Sequence, residues 1–268
     1  MMLLFAEVQK TLRRPFDVVL TLAVIVLSIL SPLIVMARAL REPGRAAMYA
    51  VQLTWPFSFD RATLVLILIS MLGAPMLAAS AMGSEHDTRT WATLVSRRPT
   101  RYPLLLAKVV VMLGAVAVMT VLAVMTAVMT AAVAAAIVGV APDPVVTARQ
   151  VNELGTPLSE LALAIAEGWW SALMALMAAV FIRSTLAAAL LGILIPQLLR
   201  AALSEETAFL NPAAHLLNLR QVAWNLTAPL GFDVGVGVWG SAGVLLLYAV
   251  AVVAATAYWF EKRDIPVS

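Results

Sequence analysis

Few side chains in this 268-residue chain are placed to do chemistry. Cysteine is absent, which excludes disulfides, thiolate metal sites and cysteine nucleophiles. The two histidines, His86 and His215, fall in segments expected on opposite sides of a membrane, so they cannot share a metal and are expected in surface or capping roles. Thirteen methionines offer thioether ligands of the kind that suits Cu(I), with Met125 and Met129 on one helical face and Met174 and Met177 one turn apart. Neither Cys nor His joins them, and methionine is common filler in apolar helices, so core packing is the expected role. The sequence holds no G-x-x-x-x-G-K-[ST], no H-E-x-x-H, no G-x-S-x-G and no pair of intramembrane aspartates. One carboxylate stands out: Glu167, inside an apolar run. Ionisable groups at such positions mark transport paths, but Trp169 and Trp170 follow it and signal an interface, where a carboxylate is solvated.

The elements that must position these residues are membrane helices. The chain is 62% hydrophobic and 12% charged, with a mean hydropathy of +0.95, far outside the soluble range. A formal net charge of +3 in such a chain reflects topology and gives no reason to expect nucleic acid as a partner. Apolar runs cover residues 18–36, 63–82, 104–140, 161–182, 185–203 and 236–260, each long enough to cross a hydrocarbon core about 30 Å thick. They use up the chain, so one domain, residues 1–268, is expected, with no separate soluble enzyme. The run at 104–140 has no turn signal before Gly139 and predicts a single long, tilted helix.

Six crossings place both termini on one side. With the termini in the cytoplasm, 11 of the 18 Lys and Arg residues lie inside, the densest group being Arg97, Arg98, Arg101 and Lys108. Residues before Pro15, with Phe5, Val8 and Leu12 at helical spacing and Glu7, Lys10, Arg13 and Arg14 on other faces, predict an amphipathic helix lying in the interface among membrane lipid.

Between the second and third runs lies the polar and basic segment SEHDTRTWATLVSRRPTRYPLLLAK, residues 84–108. Ser84 as a cap with Asp87 three residues on, Glu85 and Asp87 near the start, Arg97 and Arg98 near the end and Pro99 as a stop predict a short helix. Trp91, Leu94 and Val95 form an apolar stripe on it, outside the bilayer. Such a stripe lies back on the membrane or docks on a partner.

Here the chain resembles the membrane subunit of ABC-2 type ABC transporters. Members often carry a Glu, a Gly-Thr pair, an aliphatic stretch, a Pro, an Arg and a Lys in this order; Glu85, Thr90, Trp91, Leu94, Pro99, Arg101 and Lys108 occupy the matching positions, with Arg89 where Gly is common. The six-run layout, the basic N-terminal helix and Phe260-Glu261-Lys262-Arg263-Asp264-Ile265 are also similar to that family. The resemblance implies an all-α membrane fold: six transmembrane helices, an interfacial N-terminal helix, a cytoplasmic coupling helix and a re-entrant hairpin before the last helix. It implies that Glu85, Asp87, Thr90, Trp91, Leu94, Arg97 and Arg98 dock on a separate ABC ATPase, which binds the ATP and Mg that this chain does not. It further implies pairing with a second copy or a related permease, export as the direction, and a multi-pass location in a bacterial inner (plasma) membrane with cytoplasmic termini. An intramembrane enzyme and a secondary carrier are the rivals; the first lacks a motif and the second lacks an internal repeat.

Residues 204–235 are long and half apolar for an outer loop. Leu210, Ala213, Ala214, Leu217 and Gln221 run at helical spacing, closed by Trp224 and Pro229, consistent with the re-entrant hairpin or with an interfacial helix. Small residues repeat every four positions at Ser171, Ala175 and Ala179, at Ala188 and Gly192, and at Gly237 and Ser241, which lets helices approach closely and, with the resemblance, points to a permease dimer. Pro32, Pro75 and Pro196 are expected to kink their helices.

Overall fold

A computed structural model describes residues 2–55, 57–87, 101–145, 147, 157–182, 184–204, 206–223 and 234–262. These residues form an all-helical bundle with no strand among them. The chain begins with α1 (Met2–Arg13) and turns at Arg14 into α2 (Pro15–Arg41), where Pro15 takes the first helical position that its fixed φ suits. A short helix that the sequence did not announce, α3 (Ala46–Leu53), leads to α4 (Phe57–Leu68).

The second apolar run is not one regular helix. Between α4 and α5 (Ala74–Asp87) the turn Ile69–Gly73 is widened into π geometry. Pro75 sits just beyond it; its missing N–H and its ring would conflict with the carbonyl of Met71 in a regular helix, and the wider turn relieves that conflict. The third run is a single helix as expected, α6 (Tyr102–Val138), 37 residues or about 55 Å long at 1.5 Å per residue. It stops where Gly139 takes a left-handed φ of 63° that a Cβ would disfavour.

Then come α7 (Pro157–Ile182), α8 (Thr185–Ala201), α9 (Pro212–Ala223) and α10 (Val238–Lys262). Ser184 caps α8 by accepting the amide of Ala187. Among the described residues four helices are long and apolar enough to cross a membrane: α2, α6, α7 from Leu158, and α10. The α5 and α8 runs are apolar but shorter.

The core is built on α7, which packs against α5, α6, α8, α9 and α10. Small residues make that possible. Ala172, Ala175, Ala179 and Ala188 are buried, and a Cβ on Gly192 would fall 2.4 Å from that of Ala175 and 2.8 Å from that of Pro75. The Ser171, Ala175, Ala179 and Ala188, Gly192 faces are therefore spent inside the chain and lend nothing to a dimer. Outward, α2, α6 and α10 present large apolar side chains, among them Leu22, Ile34, Val118, Leu122, Leu246 and Leu247. Met125 and Met129 belong to this outward surface and not to the core expected for them; Met174 is buried.

Candidate functional site

Ion pairs gather at the end of the bundle where α5 stops and α6 starts. The Lys108 ammonium, its side chain 1% exposed, donates to Glu7 Oε2 at 3.0 Å, Glu85 Oε1 at 2.8 Å and the Ala81 carbonyl at 3.2 Å. All three of its protons are thereby satisfied. Lys10, its side chain 40% exposed, approaches the same carboxylates from the water side, 3.2 Å from Glu7 and 3.0 Å from Glu85. Two carboxylates and two ammonium groups thus balance in a small volume shared by α1, α5 and α6. Burial opposes ionisation of Glu7, yet Lys108 and Lys10 hold its carboxyl below the ordinary value. Burial likewise opposes the charge on Lys10, and Glu85 and Glu7 outweigh it, raising the ammonium above its usual range.

A second layer ties α2 to the same place. Arg14 donates to the Ala81 carbonyl at 3.2 Å and lies 3.8 Å from Asp17 Oδ2, while the Ser80 hydroxyl donates to Asp17 Oδ1. Where the chain enters α6, Arg101 donates to the Phe260 carbonyl at 3.3 Å and the Tyr102 amide to Glu261 Oε1 at 3.3 Å. Both roots of residues 88–100 are thus fastened to the ends of α1, α2 and α10.

Of the residues expected to dock a partner, Glu85 is buried at the centre of this network. Ser84, Glu85 and Asp87 all lie within the last turn of α5, so Ser84 does not cap a new helix there. The Glu85 carboxylate therefore meets the C-terminal end of a helix dipole, and Lys108 and Lys10 supply the compensation that a helix start would have given. Thr90, Trp91, Leu94, Arg97 and Arg98 lie outside the described residues. Sequence reasoning missed the burial of Glu7 and Lys108. The signal was available in part, because Glu7 and Lys10 sit one turn apart on α1 and Lys108 is flanked by apolar residues.

Glu167 lies toward the other end, since Arg200, which it meets, is about 22 Å along α8 from Thr185. Its carboxylate is 3.4 Å from Arg200 and 3.0 Å from Arg220, bringing together α7, α8 and α9. A small pocket beside it is lined by Ser70 of the π turn, Ser171 and Gln197 together with the apolar Met71, Pro196 and Leu216. Glu167 is thus paired and buried instead of solvated at an interface. Trp169 remains half-exposed and donates to the Leu113 carbonyl at 2.8 Å, whereas Trp170 is buried with its ring edge-on to Tyr248.

His215 has neither a surface nor a capping role. It is fully buried, with Nε2 2.9 Å from the Phe209 carbonyl and Nδ1 3.1 Å from the Ser241 hydroxyl. A carbonyl requires a donor, so the proton sits on Nε2 and Nδ1 accepts from Ser241, which in turn accepts from Asn218 at 2.8 Å. These hydrogen bonds join α9 to α10. The helix expected across Leu210 to Gln221 is α9; Trp224 and Pro229 lie outside the described residues.

Long apolar helices, an outward surface of large aliphatic side chains and charges sealed in pairs mark the chain as a membrane protein with transmembrane helices. Residues 20–266 match the family described as "protein of unknown function (DUF2705)", and the chain belongs to that family. No curated protein and no solved structure matches the chain.

Proposed function

We propose that this chain is the membrane-spanning permease subunit of an ATP-driven exporter of the ABC-2 type, working with a separate ATPase. The observation that carries the reading is the anchoring of both roots of residues 88–100: Glu85 and Lys108 to Glu7 and Lys10, and Arg101 and Tyr102 to the end of α10. Glu85 and Lys108 are tied to α1, and Arg101 and Tyr102 to α10, so a push delivered at these residues is passed to α1, α5, α6 and α10 together. That is what a coupling segment has to do.

In this reading Trp91 and Leu94 fill a groove on the ATPase, and Arg97 and Arg98 stand at its rim. The chain crosses the inner membrane of a bacterium six times with cytoplasmic termini, and two such chains, or this one and a relative, assemble above two ATPase subunits. ATP and Mg bind the ATPase alone. Glu167, between Arg200 and Arg220 on the other side of the bundle, belongs to the outer part of the transport path.

The test is co-purification. Truncating an aromatic anchor at the centre of an interface costs about 2 kcal/mol or more, and burying a carboxylate there costs at least as much. Trp91→Glu is expected to leave the protein inserted in the membrane and to abolish its co-purification with the ATPase, while Arg97→Ala has little effect. Stoichiometric recovery of the ATPase with Trp91→Glu would reject the docking role.

A further inference from the structure

Between α1, α2 and α6 runs an apolar groove enclosing about 1340 Å³, counting its open side. Its floor is α6 from Val110 to Leu122, with Gly114 at its middle; α1 roofs one end with Leu4, Val8 and Leu12, and Val18 and Leu22 of α2 form the far wall. We propose that this groove is a binding site for one acyl chain of a phospholipid, whose phosphate rests at Arg13. The inference goes beyond the transporter reading and does not depend on it.

The lining decides the occupant. Among the residues that line the groove only Thr11, Asp17 and Thr21 are polar. Each threonine hydroxyl is already spent within its own helix, on the Glu7 and Asp17 carbonyls; Asp17 Oδ1 accepts from Ser80, and its Oδ2, buried and without a hydrogen bond among the described residues, lies 3.8 Å from Arg14. What faces the groove is hydrocarbon, so neither water nor a polar solute is a suitable filling.

Length points the same way. From Val110 to Leu122 the floor measures about 18 Å at 1.5 Å per residue, close to half of a hydrocarbon core about 30 Å thick and hence to one leaflet. The groove opens sideways past Val18, Leu22, Val118 and Leu122, all exposed, so a chain can enter from the bilayer.

Charge identifies the head. All three polar lining residues lie toward the α1 end of the groove, where Arg13 follows Leu12. Lys10 and Arg14 are committed to Glu7, Glu85 and Asp17, but Arg13 is exposed and forms no ion pair among the described residues. A phosphate at the water boundary meets that cation. The roof, α1, presents an inverted amphipathic face: Glu7 is turned into the protein, and Phe5 and Leu12 are exposed. A chain filling the groove would hold that roof in the position from which Glu7 reaches Lys108.

The experiment uses the full chain in vesicles of phosphatidylethanolamine and phosphatidylglycerol, doped with phosphatidylglycerol bearing a photoreactive group midway along one acyl chain. Crosslinked peptides are mapped by mass spectrometry. Labelling is expected within residues 110–122, and excess unlabelled phosphatidylglycerol should compete it there but not at Leu246 and Leu247 on the open face of α10. Gly114 lines the groove and a Cβ on it meets nothing within 4 Å, so Gly114→Leu starts its side chain in open space on the groove floor. It should lower groove labelling about tenfold, the loss expected when a couple of methylenes can no longer be buried, and leave α10 labelling unchanged. Arg13→Gln should weaken the competition by phosphatidylglycerol. Groove labelling that follows α10 labelling under competition in the unsubstituted protein would show an ordinary lipid-facing surface and overturn the site, whatever the variants do. Labelling of α10 with none at 110–122 would show that protein fills the groove, and equal labelling by an uncharged diacylglycerol probe would overturn the phosphate contact.

Discussion

Lys108 is the side chain whose loss tests the charged network most directly. Its ammonium is enclosed, and removing it leaves Glu7 and Glu85 buried with only Lys10 to balance them. Breaking a buried pair in this way costs about 3 kcal/mol, whereas an exposed ion pair is worth under about 1 kcal/mol. Lys108→Met is therefore expected to lower the unfolding midpoint in detergent well below that of Lys10→Met. Equal effects would mean that the carboxylates reach water. The pH dependence follows from Glu7, whose carboxyl is held below its ordinary value of 4.5. A depressed carboxyl adds stability above that value and loses it as pH falls through the lower, folded-state value. Glu7→Gln should thus narrow the gap in midpoint between neutral and acid conditions below pH 4.5. Lys10, with its ammonium raised, works in the opposite sense and gives up its contribution only above its ordinary 10.5.

At the scale of elements, α5, α7 and α8 meet through glycine and alanine, and α8 approaches α7 closely at Gly192. A Cβ there would be 2.9 Å from the Ala175 Cα, a backbone atom that moves only with its helix. Gly192→Ala should cost about 1–3 kcal/mol by overpacking. Gly114→Ala, with nothing within 4 Å of its new carbon, should be neutral or gain up to about 1 kcal/mol from helix propensity. Thermal unfolding of the two variants against the parent chain checks the contrast, and similar midpoints would show that α8 is free to shift.

The sequence gives some of these elements more readily than others. The helix from Tyr102 was legible to within two residues of each end, because no breaker precedes Gly139. The π turn was not, because hydropathy is continuous from residue 63 to 82 and a change of helical pitch leaves the residue pattern intact; Pro75 was the only signal. For α1 the two faces were legible but their surroundings were inverted. Periodicity separates a charged face from an apolar one, and only the bundle and the bilayer decide that Glu7 turns inward and Phe5 outward. The pairing of Glu167 with Arg200 and Arg220 joins positions 33 and 53 residues apart, separations at which spacing carries no information.

For the whole molecule the decisive question is which ends of the helices share a side of the membrane. The ion pairs of Glu7, Lys10, Glu85 and Lys108 and the contact of Arg101 with Phe260 gather the start of α6 and the end of α10 at one end of the bundle, so α6 and α10 run in opposite directions. A Cβ on Gly83 would fall 2.7 Å from the Thr185 Cα, which brings the start of α8 to that end as well, and α8 then carries Arg200 away from it. In the proposed topology this end, which holds Lys10, Arg14, Arg101, Lys108 and Lys262, is the cytoplasmic one, as the bias of basic residues toward the cytoplasm leads one to expect. The same topology puts residue 206, exposed just past α8, on the opposite side. The chain has no cysteine, so a single introduced thiol is the only one present. In inside-out and right-side-out vesicles, a cysteine at position 98 should react with a membrane-impermeant maleimide only from the cytoplasmic face, and one at position 206 only from outside. Labelling of both from one face would mean that α8 does not cross the membrane, and the six-crossing topology would fall with it.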